Sequence, residues 1–168
     1  MLTLANIEHV VKVVGVCVGL FGIYKYFDSL SQKKVDRTIQ YASSYYSGEV
    51  LKSRKKVGAL SFAWTNAENA DGSALSIDQL LAMMAVDLEK PDTRIEVEVL
   101  LDFFDRMRVC ILNDACNRDV ASSLLEPEAR HLAVLVTPLV ASIRDVDADY
   151  GQGMTCLAAK QPDPACFD

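Results

Sequence analysis

The segment from Val10 to Phe27, VVKVVGVCVGLFGIYKYF, is apolar except for Lys12 and Lys25 near its ends. A helix of about 20 residues, rising 1.5 Å per residue, spans a hydrocarbon core of about 30 Å. The segment therefore reads as one membrane-spanning helix. Both lysines can extend their amines to the headgroups while their stems stay in the apolar layer. A cleaved signal peptide is the competing reading, because the uninterrupted core from Val13 to Tyr24 is short enough for an h-region. Glu8 and a single lysine in the leader oppose it, as does the lack of a small-x-small site directly after the core. Tyr24, Tyr26 and Phe27 instead suit an interfacial aromatic belt.

Lys12 stands alone on the N-terminal side, against Lys25, Lys33, Lys34 and Arg37 on the other. The positive-inside rule then puts the N-terminus outside and the C-terminal bulk in the cytoplasm. The same four cations are candidates for contact with anionic lipid headgroups. Within the span, Gly15, Gly19 and Gly22 share one helical face, a GxxxG with a further glycine one turn on. In lipid, close backbone approach over small residues is a principal means of helix association. This face is the candidate for packing on another transmembrane helix. Cys17, in the same segment, reads as a small apolar residue.

Beyond the span, no Pro or Gly interrupts the chain until Ser47-Gly48. Leu30, Val35, Ile39, Tyr41, Ala42 and Tyr45 recur at near-helical spacing, so one helix from about Asn6 to Tyr46 is expected to project from the bilayer as a stalk. Ser47 opens a helix to about Glu68, and residues 69 to 74, NADGSA, form a loop. Ser76-x-x-Gln79 and Thr93-x-x-Glu96 are capping boxes for two more helices. The second opens RIEVEVLLDFFDRMRVCILN, apolar on most faces and expected to be the central helix, with Leu100, Phe103, Phe104 and Met107 in the core. Asn117 caps a short helix to about Leu125, and Pro127 opens another to about Val146, which Pro138 should kink. The expected architecture is all-α. Residues 1–27 supply a short N-terminus and the transmembrane helix, 28–47 the stalk, 48–146 a bundle of four to five helices, and 147–168 an irregular, extended, cysteine-containing tail.

The chain carries a formal charge of -6, with basic residues concentrated near the apolar segment and acids further on. That disfavours nucleic acid as a partner. The cluster Lys52, Arg54, Lys55, Lys56 reads as a solvated helix face. LFGIYKYF at 20–27 and VEVLLDFFDRMRVCILNDACNRDV at 97–120 resemble a bacterial family of single-span membrane proteins of unknown function. The resemblance covers roughly residues 7 to 145. It implies a single-pass protein of the bacterial inner membrane with an all-helical cytoplasmic domain, and no activity.

Candidate chemistry is thin. Glu128-x-x-His131 has the spacing of a dimetal-carboxylate motif, but such a site needs a second pair and two further glutamates. The only other histidine is His9. Glu98, Asp102 and Asp105 share a helix face, with Arg106 and Arg108 spaced to pair with Asp102 and Asp105. Cys110, Cys116, Cys156 and Cys166 should stay reduced in a cytoplasm, form two disulfides if the domain faces the periplasm, or bind zinc, for which a C-x-x-C knuckle is lacking. No P-loop, nucleophile elbow or zincin motif occurs. The expectation is a non-catalytic membrane-anchored scaffold, with no cofactor and no metal. It would be an accessory subunit that meets other membrane subunits or copies of itself. The alternative is a membrane-tethered regulatory or defence module that oligomerises or recruits a cytosolic factor.

Overall fold

The computed structural model describes the backbone of residues 4–68, 72–144, 147–159 and 166–167, with their side chains from Gly19 onward except that of Ser142. Six helices occur among them: α1 (Leu4–Ser44), α2 (Gly48–Thr65), α3 (Ile77–Glu89), α4 (Pro91–Leu112), α5 (Arg118–Arg144) and α6 (Gln152–Ala158). The all-α class is as the sequence predicts. Among the described residues no helix is long and apolar enough to cross a membrane. The side chains of residues 10–18, half of the expected span and including Gly15 and Cys17, lie outside those described.

α1 runs unbroken from the apolar segment into the bundle. Its end is set locally, where Ser43 and Ser44 turn their hydroxyls back onto the carbonyls of Gln40 and Tyr41, and Gly48 takes a left-handed conformation at φ +57°. The stalk expected over residues 28–47 is not free-standing. Thr38, Ala42 and Tyr45 are buried, because every third or fourth residue here faces α4 and α5. The Thr38 hydroxyl donates to the Lys34 carbonyl and accepts the backbone N–H of Asn117 at 2.7 Å, so a fully buried polar atom is satisfied twice.

α4 is the centre. Val97, Leu100, Leu101, Phe103, Phe104 and Met107 are buried, and Tyr45 stacks against both Phe103 and Phe104 with ring centroids 5.0 and 5.5 Å away. α3 starts at the expected capping box of Ser76 and Gln79. The second box does not form. Lys90 is the N-cap of α4 and Pro91 its first residue, since proline needs no N–H donor there. Thr93 is then already inside the helix. Glu96 is drawn across to α2, where it accepts from Ser53 at 2.6 Å and pairs with Lys56.

Two further expectations are corrected. Residues 118–144 form one helix through Pro127 and Pro138, where the sequence suggests two. Each proline costs about 3 kcal/mol in a helix interior, but burial of Leu125, Leu132, Val136 and Leu139 along one face offsets this. The stretch read as an extended tail instead turns back as α6, packs on α4 and α5, and buries Gly153, Met154, Cys156 and Leu157.

Candidate functional site

A concavity of about 280 Å³ lies where α2 meets α5. Leu100 and Leu132 form its floor, and Arg54, Lys55, Glu128 and His131 its rim. Arg54 pairs with Glu128 at 2.6 Å and lies over the rings of Tyr45 and Tyr46. Its guanidinium is therefore committed to bridging α2, α5 and the turn that follows α1. Burial, followed by the nearby Glu128 carboxylate, pushes the Tyr45 hydroxyl well above its ordinary range. Tyr45 thus stays neutral and serves packing. Glu128 and His131, spaced like metal ligands, do not converge with other donors. Among the described residues no group of three or more His, Cys, Asp or Glu side chains could hold a metal ion. Of the basic run on α2, Arg54 and Lys56 are paired across helices, while Lys52 and Lys55 are exposed.

The acidic face of α4 divides into separate roles. Asp102 pairs with Arg106 at 2.7 Å on the surface, as its spacing suggests. Glu98 pairs with Arg94 at 2.9 Å. Asp105 does not pair with Arg108. It reaches the start of α6, where its carboxylate accepts the backbone N–H groups of Gly151 at 3.0 Å and Gly153 at 2.6 Å. Burial raises the Asp105 pKa, and the two backbone donors counter that only in part. Arg108 donates instead to the Cys166 carbonyl at 2.9 Å. Asp105 thus ties α6 to α4, while Glu98 and Asp102 pair with arginines of α4 itself.

All four cysteines outside α1 are paired. Cys110–Cys116 closes the turn between α4 and α5, and Cys156–Cys166 ties α6 to the end of the chain, with Cα separations of 5.2 and 5.6 Å. Of the three states that the sequence leaves open for these cysteines, the structure has the two disulfides. Helix packing brings the partners within bridging reach.

Most of the residues that the sequence suggests for membrane contact point away from the bundle. Gly19 and Gly22 have no atom of the chain within 4 Å of where a side chain would start. Lys33 and Arg37 are exposed, Lys25 lies over the Phe21 ring at 5.9 Å, and Lys34 pairs with Asp114 at 2.6 Å. The core quartet of Leu100, Phe103, Phe104 and Met107 is buried as expected.

The contacts that the sequence hid are those between helices. Trp64 donates its indole N–H to Asp87 at 2.8 Å, Glu96 takes both Ser53 and Lys56, and Asp105 caps α6. The two glycines at 151 and 153 were the available signal for the last of these. No family model, no curated protein and no solved structure matches this chain.

Proposed function

We propose that the protein is a single-pass, membrane-anchored interaction subunit without catalysis of its own, whose disulfide-stapled helical domain stands at the oxidising face of the membrane. The observation that carries this reading is the continuity of α1. The helix that begins in the apolar segment ends among Thr38, Ala42 and Tyr45 in the core, so an anchor of this kind would fix the domain's attitude to the bilayer. The exposed aliphatic and aromatic side chains of Leu20 to Phe27, idle in water, have a solvent in lipid. The non-catalytic part is supported by the use of Arg54, Glu96, Asp105 and Glu128 as ties between helices.

The lysine and arginine bias favours a cytoplasmic domain, and the two disulfides favour an oxidising compartment. The bridges weigh more here. They engage every cysteine outside α1, whereas Lys34, one of the four flanking cations, has a structural partner in Asp114. Packing of Gly15, Gly19 and Gly22 on a partner span remains part of the proposal.

The test is flotation of the full chain with membranes, resistance to carbonate extraction, and recovery of partners in mild detergent. Membrane retention with defined partner subunits is the expected result. Release by carbonate would end the anchor reading, and a stable solitary monomer would end the subunit reading.

A further inference from the structure

We infer that the cleft between α2 and α5 binds a medium-chain aliphatic monocarboxylate, its alkyl chain on the leucine floor and its carboxylate on Lys55, with His131 at its side. The inference goes beyond the scaffold reading and does not depend on the membrane anchor.

Helical spacing builds the two walls. Leu51, Arg54, Lys55 and Gly58 fall at i, i+3, i+4 and i+7 on α2, and Glu128, His131, Leu132 and Leu135 repeat that spacing on α5. α2 packs chiefly on α4, and α5 on α6 and α1. The two stripes therefore face each other without close backbone packing, and the Arg54–Glu128 pair spans the gap between them.

Three features select the ligand. The first is charge. Arg54 and Glu128 neutralise each other, whereas Lys55 and His131 on the same rim have no hydrogen-bond or ion-pair partner among the described residues. The rim can therefore take one negative charge, and the Glu128 carboxylate beside it opposes a second. A neutral imidazole still offers one N–H to the same carboxylate. The second is the lining. Leu51, Val57, Leu100, Leu132 and Leu135 make the interior aliphatic, and its volume of about 280 Å³ lies just below the roughly 300 to 1,000 Å³ of pockets for drug-sized ligands. That suits a medium-length chain and not a full lipid tail. The third is Gly58. Glycine weakens a helix interior relative to alanine, yet this one lies within α2, where no turn requires it. A side chain started there would meet no atom of the chain within 4 Å, so close packing does not require it either. What the glycine does is keep that wall of the cleft open, where a larger side chain would take the ligand's place.

The experiment uses the full chain in a sterol-based detergent, which has no alkyl chain to compete. Octanoate, octanol and octyl phosphate are titrated separately by calorimetry, with detergent alone as the blank. Octanoate should bind once per chain and about tenfold more tightly than octanol, the scale of one charge-assisted hydrogen bond. Octyl phosphate should bind more weakly than octanoate. Lys55→Met keeps the apolar stem and removes the charge, so it should bring octanoate down to the level of octanol and leave octanol unchanged. Gly58→Leu should abolish binding of all three, while the melting temperature without ligand stays at or above that of wild type. No saturable octanoate binding, equal affinity for octanoate and octanol, a preference for octyl phosphate, indifference to Lys55→Met, or intact octanoate binding in Gly58→Leu would overturn the inference. Lys55 is exposed, so its substitution leaves folding intact and keeps the test decisive should Gly58→Leu pack badly.

Discussion

Two sets of glycines in this chain do opposite things. Gly19 and Gly22 lie on α1 with nothing of the chain near them, whereas a side chain at Gly153 would meet the Phe104 carbonyl oxygen at 2.1 Å. Gly153 lets α6 lie against the backbone of α4. Gly151, just before it, takes a left-handed conformation at φ +68° and begins that helix. The glycines that stand out in sequence serve no contact within the chain, while those that close the fold sit in a stretch without periodicity. Closeness inside the chain is thus tested by stability, and closeness to another chain only by association.

The largest effect should come from the closed region. Phe104 is fully buried beneath α6 and against Tyr45, so Phe104→Ala should cost about 3 to 5 kcal/mol, read as a fall in the melting temperature of the full-length protein. Gly153→Ala should cost about 3 kcal/mol or somewhat less, because backbone cannot yield as a side-chain tip can. A Gly153→Ala protein that melts like wild type would show that α6 does not pack as described.

The legible parts of the fold were those with local causes. The Ser76 and Gln79 capping box and the apolar run of α4 could be read because helix periodicity and capping act within a few residues. Pro91 took the start of α4 from Thr93 by another local rule that competed and won. α6 and the role of Asp105 were hidden because their cause is tertiary. A short segment with two glycines has poor intrinsic helix propensity, and only the surface of α4 and α5 makes it fold. The disulfide pairing stayed open for the same reason: spacing alone does not say which cysteines meet.

A smaller effect concerns pH. The Lys56 and Ser53 hydrogen bonds hold the Glu96 carboxyl below its ordinary range. With a lowered native pKa, its contribution is fully present above the unfolded-state value and is lost as pH falls through the native one. Asp87, held down by Lys90 and Trp64, acts in the same direction. Asp105 acts in the opposite one: its raised pKa means that ionisation weakens the fold as pH rises through the acid range. Melting curves at successive acid pH values should therefore fall less steeply for Glu96→Gln than for wild type.

The smallest effect on stability should come from the open region. Gly19→Leu adds bulk where no other part of the fold packs, so the unfolding free energy should change by less than the roughly 0.5 kcal/mol typical of surface changes, with almost no shift in melting temperature. Partner recovery should nonetheless drop, with Val18→Leu, off the glycine stripe, as control. Equal recovery from both variants would show that the glycines serve no partner.

The most direct test of the proposed anchor and its orientation asks whether the bridged domain lies in an oxidising compartment. Intact cells expressing the full chain are treated with a membrane-impermeant maleimide, with and without a prior impermeant reductant, and labelled thiols per chain are counted by mass spectrometry. Cys110, Cys116, Cys156 and Cys166 should be silent before reduction and all labelled after it. Thiols that react without reduction, and only once the cells are opened, would put the domain in a reducing cytoplasm and contradict the account.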